Sequence, residues 1–360
     1  SRRTWRAFAR NLPALLGLGY VLLCLLVSLF ACVIAPDNTR HANMQALELA
    51  KLPPGSEALL LMKPLGGAET AGFWDWIAGK IPDAEPVALA VEPDIHPRGA
   101  YVVFVTRAGV RDSLSLAVFG LPEGTETAVF TRKYVQKRRF WLGTDTYGRD
   151  LLSRILLGTR VSLFTGLMAM LLSVAIGVVV GALAGYFGGR LDAALMWLIS
   201  VIWSVPTLLL ALVISFILGK GFWQLFVAIG ISMWVEVARM VRGQILSLRE
   251  WQFTEAARTL GFGHMRILFR HILPNITGPL IVVAVANFGS AILVESGLSF
   301  LGIGVEVPIP TWGRMIYEGY TYIVLENGKW LAFFPGMALI LLIVSINLIG
   351  IGLRDALEVT

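Results

Sequence analysis

Residues 161–187 read VSLFTGLMAMLLSVAIGVVVGALAGYF, and this stretch decides the fold because it contains no Asp, Glu, Lys, Arg or His. A helix needs about 20 apolar residues to cross the hydrocarbon core of a bilayer, which is roughly 30 Å thick. The stretch therefore predicts a membrane-spanning helix. The whole chain of 360 residues agrees, since 56% of it is hydrophobic and only 15% is charged. Soluble domains are about 25% charged.

Five further apolar runs predict membrane spans, at residues 12–36, 191–218, 222–241, 276–301 and 331–353. Together the six runs predict an all-α polytopic membrane protein with six transmembrane helices. Pro206 interrupts the third run, where it is expected either to kink the span or to be accommodated by a neighbouring helix. The net charge of +6 does not indicate nucleic-acid binding, because the basic residues cluster at the ends of the apolar runs.

The first run follows Arg2, Arg3, Arg6 and Arg10, as the apolar part of a secretory signal follows its basic residues. It holds about 20 apolar residues, however, whereas the apolar part of a signal peptide has about 7–15. We interpret it as an uncleaved first span whose arginines hold the N-terminus in the cytoplasm. Counting spans from there places both termini in the cytoplasm, and the charges of the short loops agree with the positive-inside rule.

Residues 37–140 differ from the rest of the chain because they hold twelve basic and twelve acidic residues. Short apolar runs bounded by Pro and Gly predict strands at residues 58–62, 87–91, 101–106 and 114–119, with a candidate helix at 71–81. The segment is expected to form a small, mostly β extracytoplasmic insert domain between the first two spans. The predicted domains are residues 1–36, 37–140 and 141–360.

A polar loop at about residues 244–275 contains the most informative motif of the chain. Glu255-Ala256-Ala257 belongs to a predicted short helix whose small side chains allow a partner surface to approach closely. Gly261 permits a sharp turn, a second short helix follows, and Pro274 is expected to end that helix before the fifth span. Two short helices joined at a glycine predict a compact knob that suits docking into a groove on another protein.

The spacing of these residues resembles the EAA loop of bacterial ABC importer permeases. Further segments resemble the dipeptide/oligopeptide branch of this family, and they are Leu142-Gly143-Thr144-Asp145, Gly148-Arg149-Asp150, Leu152-Ser153-Arg154, Ala184-Gly185-Tyr186-Phe187-Gly188-Gly189, Val241-Arg242-Gly243-Gln244, Arg270-His271-Ile272-Leu273-Pro274-Asn275, Leu298-Ser299-Phe300-Leu301-Gly302, Trp312-Gly313 and Leu353-Arg354-Asp355-Ala356-Leu357. Their ordered occurrence covers residues 141–358 strongly and 1–35 weakly. The chain departs from the family in its longer insert and in Ser204-Val205-Pro206, where Phe-Pro is usual.

The resemblance implies a type I importer fold in the bacterial inner membrane. The implied partners are a similar but distinct permease, two cytoplasmic ABC ATPases, an external solute-binding protein and membrane lipid, with no nucleic acid. The residues implied to couple the spans to the ATPases are Glu255, Ala256, Ala257, Gly261, Leu273 and Pro274. The chain would import peptides or similar small solutes by alternating access. ATP and Mg would bind to the partner ATPases, so no cofactor, metal or catalytic residue is expected in this chain.

Two residues within the predicted spans are candidates for the translocation path or for a subunit interface. Glu295 lies in the fifth run, where a charge is costly and often functional, and pairing near the outer interface is an equal alternative. Pro206 is the second candidate. Glu236 lies near the predicted cytoplasmic end of the fourth run, and we expect it to pair with Arg239 and Arg242. A helix-packing face is predicted by the small-residue series Gly177, Gly181 and Gly185.

Two other functions stay open at this point. A secondary transporter or channel would work without ATPases, and it would show paired ionisable residues near the membrane centre or inverted repeats. The sequence shows no clear internal repeat, and this function would leave the EAA-like loop unexplained. The other alternative is an ABC-linked signalling or scaffold device in which the long external insert is the main functional part.

Overall fold

The computed structural model describes residues 2–37, 39–63, 87–107, 109–306, 308–324 and 328–358, and within these ranges the chain is mainly helical. The helices are α1 (Arg2–Phe8), α2 (Leu12–Ile34), α3 (Thr127–Tyr134), α4 (Leu151–Phe187), α5 (Gly189–Trp203), α6 (Thr207–Leu218), α7 (Phe222–Arg249), α8 (Gln252–Thr259), α9 (His264–Ile267), α10 (Thr277–Phe300), α11 (Trp312–Tyr320) and α12 (Trp330–Glu358). The strands are β1 (Ser56–Lys63), β2 (Val87–Arg98), β3 (Tyr101–Thr106), β4 (Arg111–Ser115) and β5 (Val135–Phe140).

The chain divides into two compact units, which are described separately. The first unit comprises Ser1–Leu25, Ser162–Glu306 and Leu339–Thr360. The second unit comprises Leu26–Val161 and Val307–Ala338. All five strands of the described residues belong to the second unit, and the motif at residues 244–275 belongs to the first.

Five helical segments of the described residues are long and apolar enough to cross a membrane, and they are Leu12–Ile34, Leu151–Phe187, Phe222–Arg249, His264–Phe300 and Trp330–Leu357. Each coincides with one of the predicted apolar runs. The Leu151–Phe187 helix begins ten residues before the predicted run, and the Phe222–Arg249 helix continues eight residues beyond its run. Hydropathy identified only the apolar part of these two helices, because their polar ends are also helical.

The third apolar run forms two helices, α5 and α6, which are bent by 91° relative to each other. α5 ends at Trp203 and α6 begins at Thr207. Pro206 explains the break, because proline lacks the N–H that a helix interior needs and disfavours the helical conformation of the residue before it. Proline therefore separates two helices at nearly a right angle here, which is a larger effect than the kink that the sequence suggested.

In the first unit, the glycine series of α4 packs directly against α7. A Cβ added at Gly181 would lie 2.4 Å from the carbonyl oxygen of Ala238, and additions at Gly177 and Gly185 would lie within 3 Å of backbone oxygens on neighbouring turns of α7. Only glycine permits such a close approach of the two helices. The predicted packing face is confirmed, and it fixes the position of α7, from which the motif loop continues.

The second unit contains an antiparallel sheet with the strand order β4-β3-β2-β1-β5. Three of the predicted strands lie within β1, β2 and β3. The fourth prediction is largely wrong, because β4 ends at Ser115 and a 3-10 turn, Leu116–Phe119, follows it. Hydropathy did not indicate β5 or α3, since β5 reads Val-Gln-Lys-Arg-Arg-Phe. The candidate helix at residues 71–81 lies outside the described residues.

The second unit also contains a buried ion network that joins the start of α4 to α11. Asp145 accepts a hydrogen bond from Arg149 Nε at 2.6 Å and lies 3.4 Å from Arg154 Nε. Glu318 of α11 accepts from Arg149 Nη2 at 3.2 Å and from Arg314 Nε at 3.2 Å, and Arg154 Nη2 lies 3.7 Å away. Three guanidinium groups thus surround two carboxylates, and the side chains of Arg149 and Arg154 are almost completely buried.

Candidate functional site

Helix α8 carries the Glu-Ala-Ala motif. Glu255 and Ala256 are exposed, whereas Ala257 is buried. Ala257 packs against the chain's own helices, with Val241 and Ile245 of α7 in the same apolar cluster. The expectation that the small side chains of this helix allow a partner surface to approach is therefore wrong for Ala257. Its small side chain allows α8 to lie close to α7. The small side chain of Ala256 projects little from the outer surface of α8.

A glycine turn ends α8. Gly261 has a φ of +75°, which L side chains rarely adopt. Its N–H donates to the carbonyl of Arg258 at 2.9 Å, and the N–H of Phe262 donates to the carbonyl of Ala257 at 3.2 Å. This pair of bonds is the Schellman arrangement, which satisfies the last carbonyls of a helix. The sharp turn predicted at Gly261 is confirmed.

The segment after the turn winds continuously into α10. It consists of α9, a π-helical turn at Leu268–Ile272 and a 3-10 turn at Leu273–Ile276. Pro274 lies in the 3-10 turn, and Leu273 is half-buried against the apolar cluster of α7 and α8. The prediction that Pro274 ends the second helix before the span is wrong. The π-helical turn and the 3-10 turn that follows it change the spacing of the backbone hydrogen bonds around the proline. The chain therefore remains helical through Pro274.

Residues 250–276, which we call the knob, are firmly attached to the helices of the first unit. Ile267 and Ile272 are buried in one cluster with Tyr186 of α4. The hydroxyl of Tyr186 lies 3.0 Å from His264 Nδ1, and Thr254 Oγ1 donates to the carbonyl of Leu248 at 2.9 Å. The knob is therefore packed against α4 and α7 through side chains of one apolar cluster.

The outer surface of the knob exposes large apolar side chains, namely Trp251, Leu260, Met265 and Phe269. Leu260 is 72% exposed, directly beside the Gly261 turn. Solitary exposed apolar residues are ordinary on protein surfaces, whereas four large ones occur here between residues 251 and 269. We call these four residues the apolar surface of the knob.

A recess of about 570 Å³ opens beside this surface, and it is lined by Tyr186, Phe187, Arg249, Glu250, Glu255, Arg258 and His264. Its lining includes two arginines and two glutamates, so it can accept charged groups of either sign. Sequence reasoning identified only Glu255 among these residues as functional. The Gly-Tyr-Phe-Gly-Gly motif at the end of α4 was the available signal for Tyr186 and Phe187, and Arg249 carried none.

Glu295 is completely buried in the first unit. Its carboxylate accepts hydrogen bonds from Ser299 Oγ at 2.8 Å, Ser296 Oγ at 3.3 Å and Ser162 Oγ at 3.4 Å. These hydroxyl groups stabilise a polar side chain inside a membrane helix. The structure thus places Glu295 inside the packing of α4 against α10.

Glu236 has different surroundings from those that the sequence predicted. Arg242 forms a bidentate pair with Asp192 at 2.6 and 2.7 Å, and Arg239 lies over the ring of Trp203 at 3.8 Å. The expected local pairing of Glu236 with these two arginines is wrong. Since α7 extends to Arg249, Glu236 lies near the middle of this helix and not near its end.

Comparison with known proteins places these features in a family. Residues 177–359 match the binding-protein-dependent transport system inner membrane component family, and residues 1–54 match the N-terminal transmembrane domain of oligopeptide transport permease C. The oligopeptide transport system permease protein OppC of Bacillus subtilis is 38% identical over 218 residues, which are 61% of this chain and 71% of that protein. The dipeptide transport system permease protein DppC of the same organism is 40% identical over 61% of this chain and 68% of its own length.

A methionine ABC transporter, MetNI, solved in an inward-facing conformation, is similar over 58% of this chain and 98% of its own chain, with 19% identity and a TM-score of 0.49. That similarity is too low to support an inference about this chain.

The apolar helices and the family match define a multi-pass membrane protein. The chain belongs to the binding-protein-dependent transport system inner membrane component family, and it is a permease subunit of an ABC importer. The resemblance to the dipeptide/oligopeptide branch is confirmed. The secondary-transporter and scaffold alternatives receive no support from these relatives.

Proposed function

We propose that this permease imports peptides or similar small solutes across the bacterial inner membrane by alternating access. The support is that relatives about 40% identical to it are named as oligopeptide and dipeptide permeases. Six spans of a type I importer fold, cytoplasmic termini and an external sheet domain complete the proposed arrangement. Its partners are a distinct permease of the same family, two ATPases that bind ATP and Mg, and an external solute-binding protein.

The knob is the proposed contact with an ATPase subunit. One observation carries this assignment, because exposed apolar and charged side chains are combined there on a rigidly packed base. The apolar surface would fill a groove on the ATPase, in the manner of a helix that binds in a groove. Glu255 and Arg258 would pair with charged groups at the rim of that groove. When the ATPases close, the knob would move with them and shift α4 and α7.

Co-purification tests the proposed assembly. The tagged chain is extracted gently from native membranes, and the proteins that follow it are identified by mass spectrometry. A second permease and ATPase subunits are expected. Recovery of the chain alone, even with a trapped nucleotide present, would contradict the proposal.

A matched pair of variants locates the ATPase contact. Leu260→Asp places a charge on the knob, and Val110→Asp places one at a side chain of the second unit that is 60% exposed, close to the 72% of Leu260. Both variants should insert and fold. ATPase recovery should decrease only for Leu260→Asp, and equal recovery with both variants would exclude the knob as the contact.

A further inference from the structure

Glu236 occupies an unusual place for a carboxylate. It lies fourteen residues after the first residue of α7 and thirteen before the last, in a helix that is a candidate membrane span. Its side chain is exposed on the surface of the chain. No hydrogen bond or ion pair to this carboxylate occurs among the residues that the structure describes. A charged group within a membrane-spanning segment is costly, and such a residue indicates a functional contact unless a partner neutralises it.

The two neighbouring cations do not neutralise Glu236, because each has another partner. Arg239 lies on the indole ring of Trp203, and Arg242 forms its bidentate pair with Asp192. Glu295, another carboxylate inside a candidate span of the first unit, accepts bonds from three serine hydroxyls. Glu236 is therefore available to a group from outside this chain.

A pocket at the break between α5 and α6 gives Glu236 a binding environment. The pocket has a volume of about 190 Å³, and its lining includes Trp203, Val205 and Thr207 at the break, Glu236 of α7 and Ser290 of α10. Irregular backbone at membrane depth is tolerated where it is buried in protein or lines a water-filled cavity. The volume corresponds to about six water molecules at roughly 30 Å³ each, so it admits the end of a small molecule and not a long chain.

The chemistry of this pocket selects a cation. Glu236 supplies a negative charge, and the exposed hydroxyl groups of Thr207 and Ser290 supply further acceptors. An ammonium group carries three N–H donors and no acceptor, so it matches this set, whereas a carboxylate or a phosphate would be repelled by Glu236. A peptide with a free N-terminus carries such an ammonium group.

We propose that Glu236 binds the N-terminal ammonium group of the transported peptide on the translocation path, an inference that rests on the proposed function. The carboxylate would hold the ammonium group while the peptide passes the break between α5 and α6. Loss of the negative charge would weaken this contact, and a shorter carboxylate would preserve most of it.

Uptake by the reconstituted importer tests this inference. The complete importer, with its co-purified partners and binding protein, is placed in proteoliposomes, and ATP-driven uptake of dialanine is measured. Glu236→Gln should lower kcat/KM for uptake by roughly tenfold or more, since a hydrogen bond to a charged group is lost. Glu236→Asp should restore most of the rate. Glu123→Gln, at an exposed carboxylate of the second unit, is the matched control and should transport at the wild-type rate.

Thiol accessibility gives a readout that does not depend on activity. The native Cys24 and Cys32 are both buried, so this chain of the wild-type importer should react slowly with a cationic, water-soluble thiol reagent. In Glu236→Cys the new thiol should react readily, as expected for a side chain beside a water-accessible path. Absence of reaction in all states would place position 236 against lipid or the partner permease and would overturn the inference.

The outcomes separate the two proposals. If the wild-type importer takes up no peptide, the proposed peptide function fails and the inference fails with it. If the wild type transports dialanine and Glu236→Gln does so equally fast, only the role of Glu236 is overturned.

Discussion

The knob and the buried ion network use charged residues in opposite ways. In the knob, Glu255 is exposed and lines an open recess with Arg258. In the network, Asp145, Arg149 and Glu318 are directed at one another and are nearly excluded from solvent. The first arrangement leaves charges available to another molecule, whereas in the second the charges are paired with one another inside the unit. Two regions that both carry motifs of the same permease branch thus differ in whether their charged groups are exposed to solvent or buried against one another.

The difference has an energetic basis. An exposed charge keeps its hydration, so that removing it has little effect on folding. A buried charge has lost its hydration and depends on its partner, so that removing the partner leaves an uncompensated ion in the interior. Substitutions in the network should therefore affect folding, and those on the outer surface of the knob should affect function alone.

The largest expected effect is that of Glu318→Ala. This substitution leaves three guanidinium groups, those of Arg149, Arg154 and Arg314, with a single carboxylate. Breaking a buried pair from one side costs about 3–5 kcal/mol. We expect a large decrease in the thermal unfolding temperature of the detergent-purified protein, or failure to accumulate in the membrane.

Glu57→Ala is the control for that prediction, because Glu57 pairs with Lys137 across exposed strands at 2.6 Å. Because an exposed pair of this kind keeps its hydration, it contributes little to stability, so its loss should leave the unfolding temperature nearly unchanged. If Glu318→Ala and Glu57→Ala behaved alike, the buried network would not be the support that we describe.

The next effect distinguishes the inner from the outer surface of the knob at adjacent residues. Ala257→Leu inserts a large side chain into the cluster of Val241 and Ile245, and overpacking of this kind costs about 1–3 kcal/mol. Ala256→Leu adds the same atoms on the exposed surface and should not change stability. It should, however, reduce ATPase recovery in co-purification, because the larger side chain projects from the outer surface of α8 and hinders a close approach of the partner.

Thermal unfolding and co-purification, measured together on both variants, check this pair. Stability loss in Ala256→Leu that equals the loss in Ala257→Leu would show that both alanines are structural.

A smaller effect is expected at the glycine turn. Gly261 has a φ of +75°, and nothing lies within 4 Å of a Cβ built there, so any loss in Gly261→Ala comes from backbone strain. That strain is about 1 kcal/mol or somewhat more. Gly263, with a φ of −63° and equally open surroundings, is the matched control. Gly263→Ala should fold and transport normally, whereas Gly261→Ala should be less stable and should couple ATP hydrolysis to uptake less efficiently.

Equal results for the two alanine variants, in unfolding temperature and in uptake per ATP, would mean that the turn tolerates another conformation.

Sequence patterns predicted the features that depend on local chemistry. The apolar runs gave five long helices, the glycine series gave a packing face, and Gly261 gave a turn of positive φ. The errors arose where tertiary contacts decide. The burial of Ala257 depends on α7, the partner of Arg242 is Asp192, fifty positions away, and Glu318 joins Arg149 across 169 positions. A local pattern of residues does not predict contacts at such separations in the sequence.

The smallest expected effect is a pH-dependent difference in stability at Asp150, which lies just before α4 and is buried. Burial raises the pKa of this carboxyl, and the negative charge of Asp37 adds to the rise, while hydrogen bonds from the N–H and hydroxyl of Ser153 oppose it. Because the native pKa is above the ordinary value, the native state favours the protonated form. The protonated Asp150 therefore contributes to the free energy of unfolding at low pH, and this contribution is lost as the pH rises through the native pKa.

Asp150→Asn removes this titration and keeps an oxygen that accepts the N–H of Ser153, which Asp150 accepts at 2.8 Å in the native protein. Its unfolding temperature should therefore match that of the wild type near pH 4 and exceed it slightly at pH 7. Asp150→Ala should be less stable at both pH values by about 1–3 kcal/mol, since the N–H loses its acceptor. Asp112→Asn, at an exposed carboxylate, controls for general titration. If the unfolding temperature of Asp150→Asn instead fell below that of the wild type as the pH rose, the folded protein would prefer the charged carboxylate. Asp150 would then resemble the paired charges of the network and not a buried group held by Ser153.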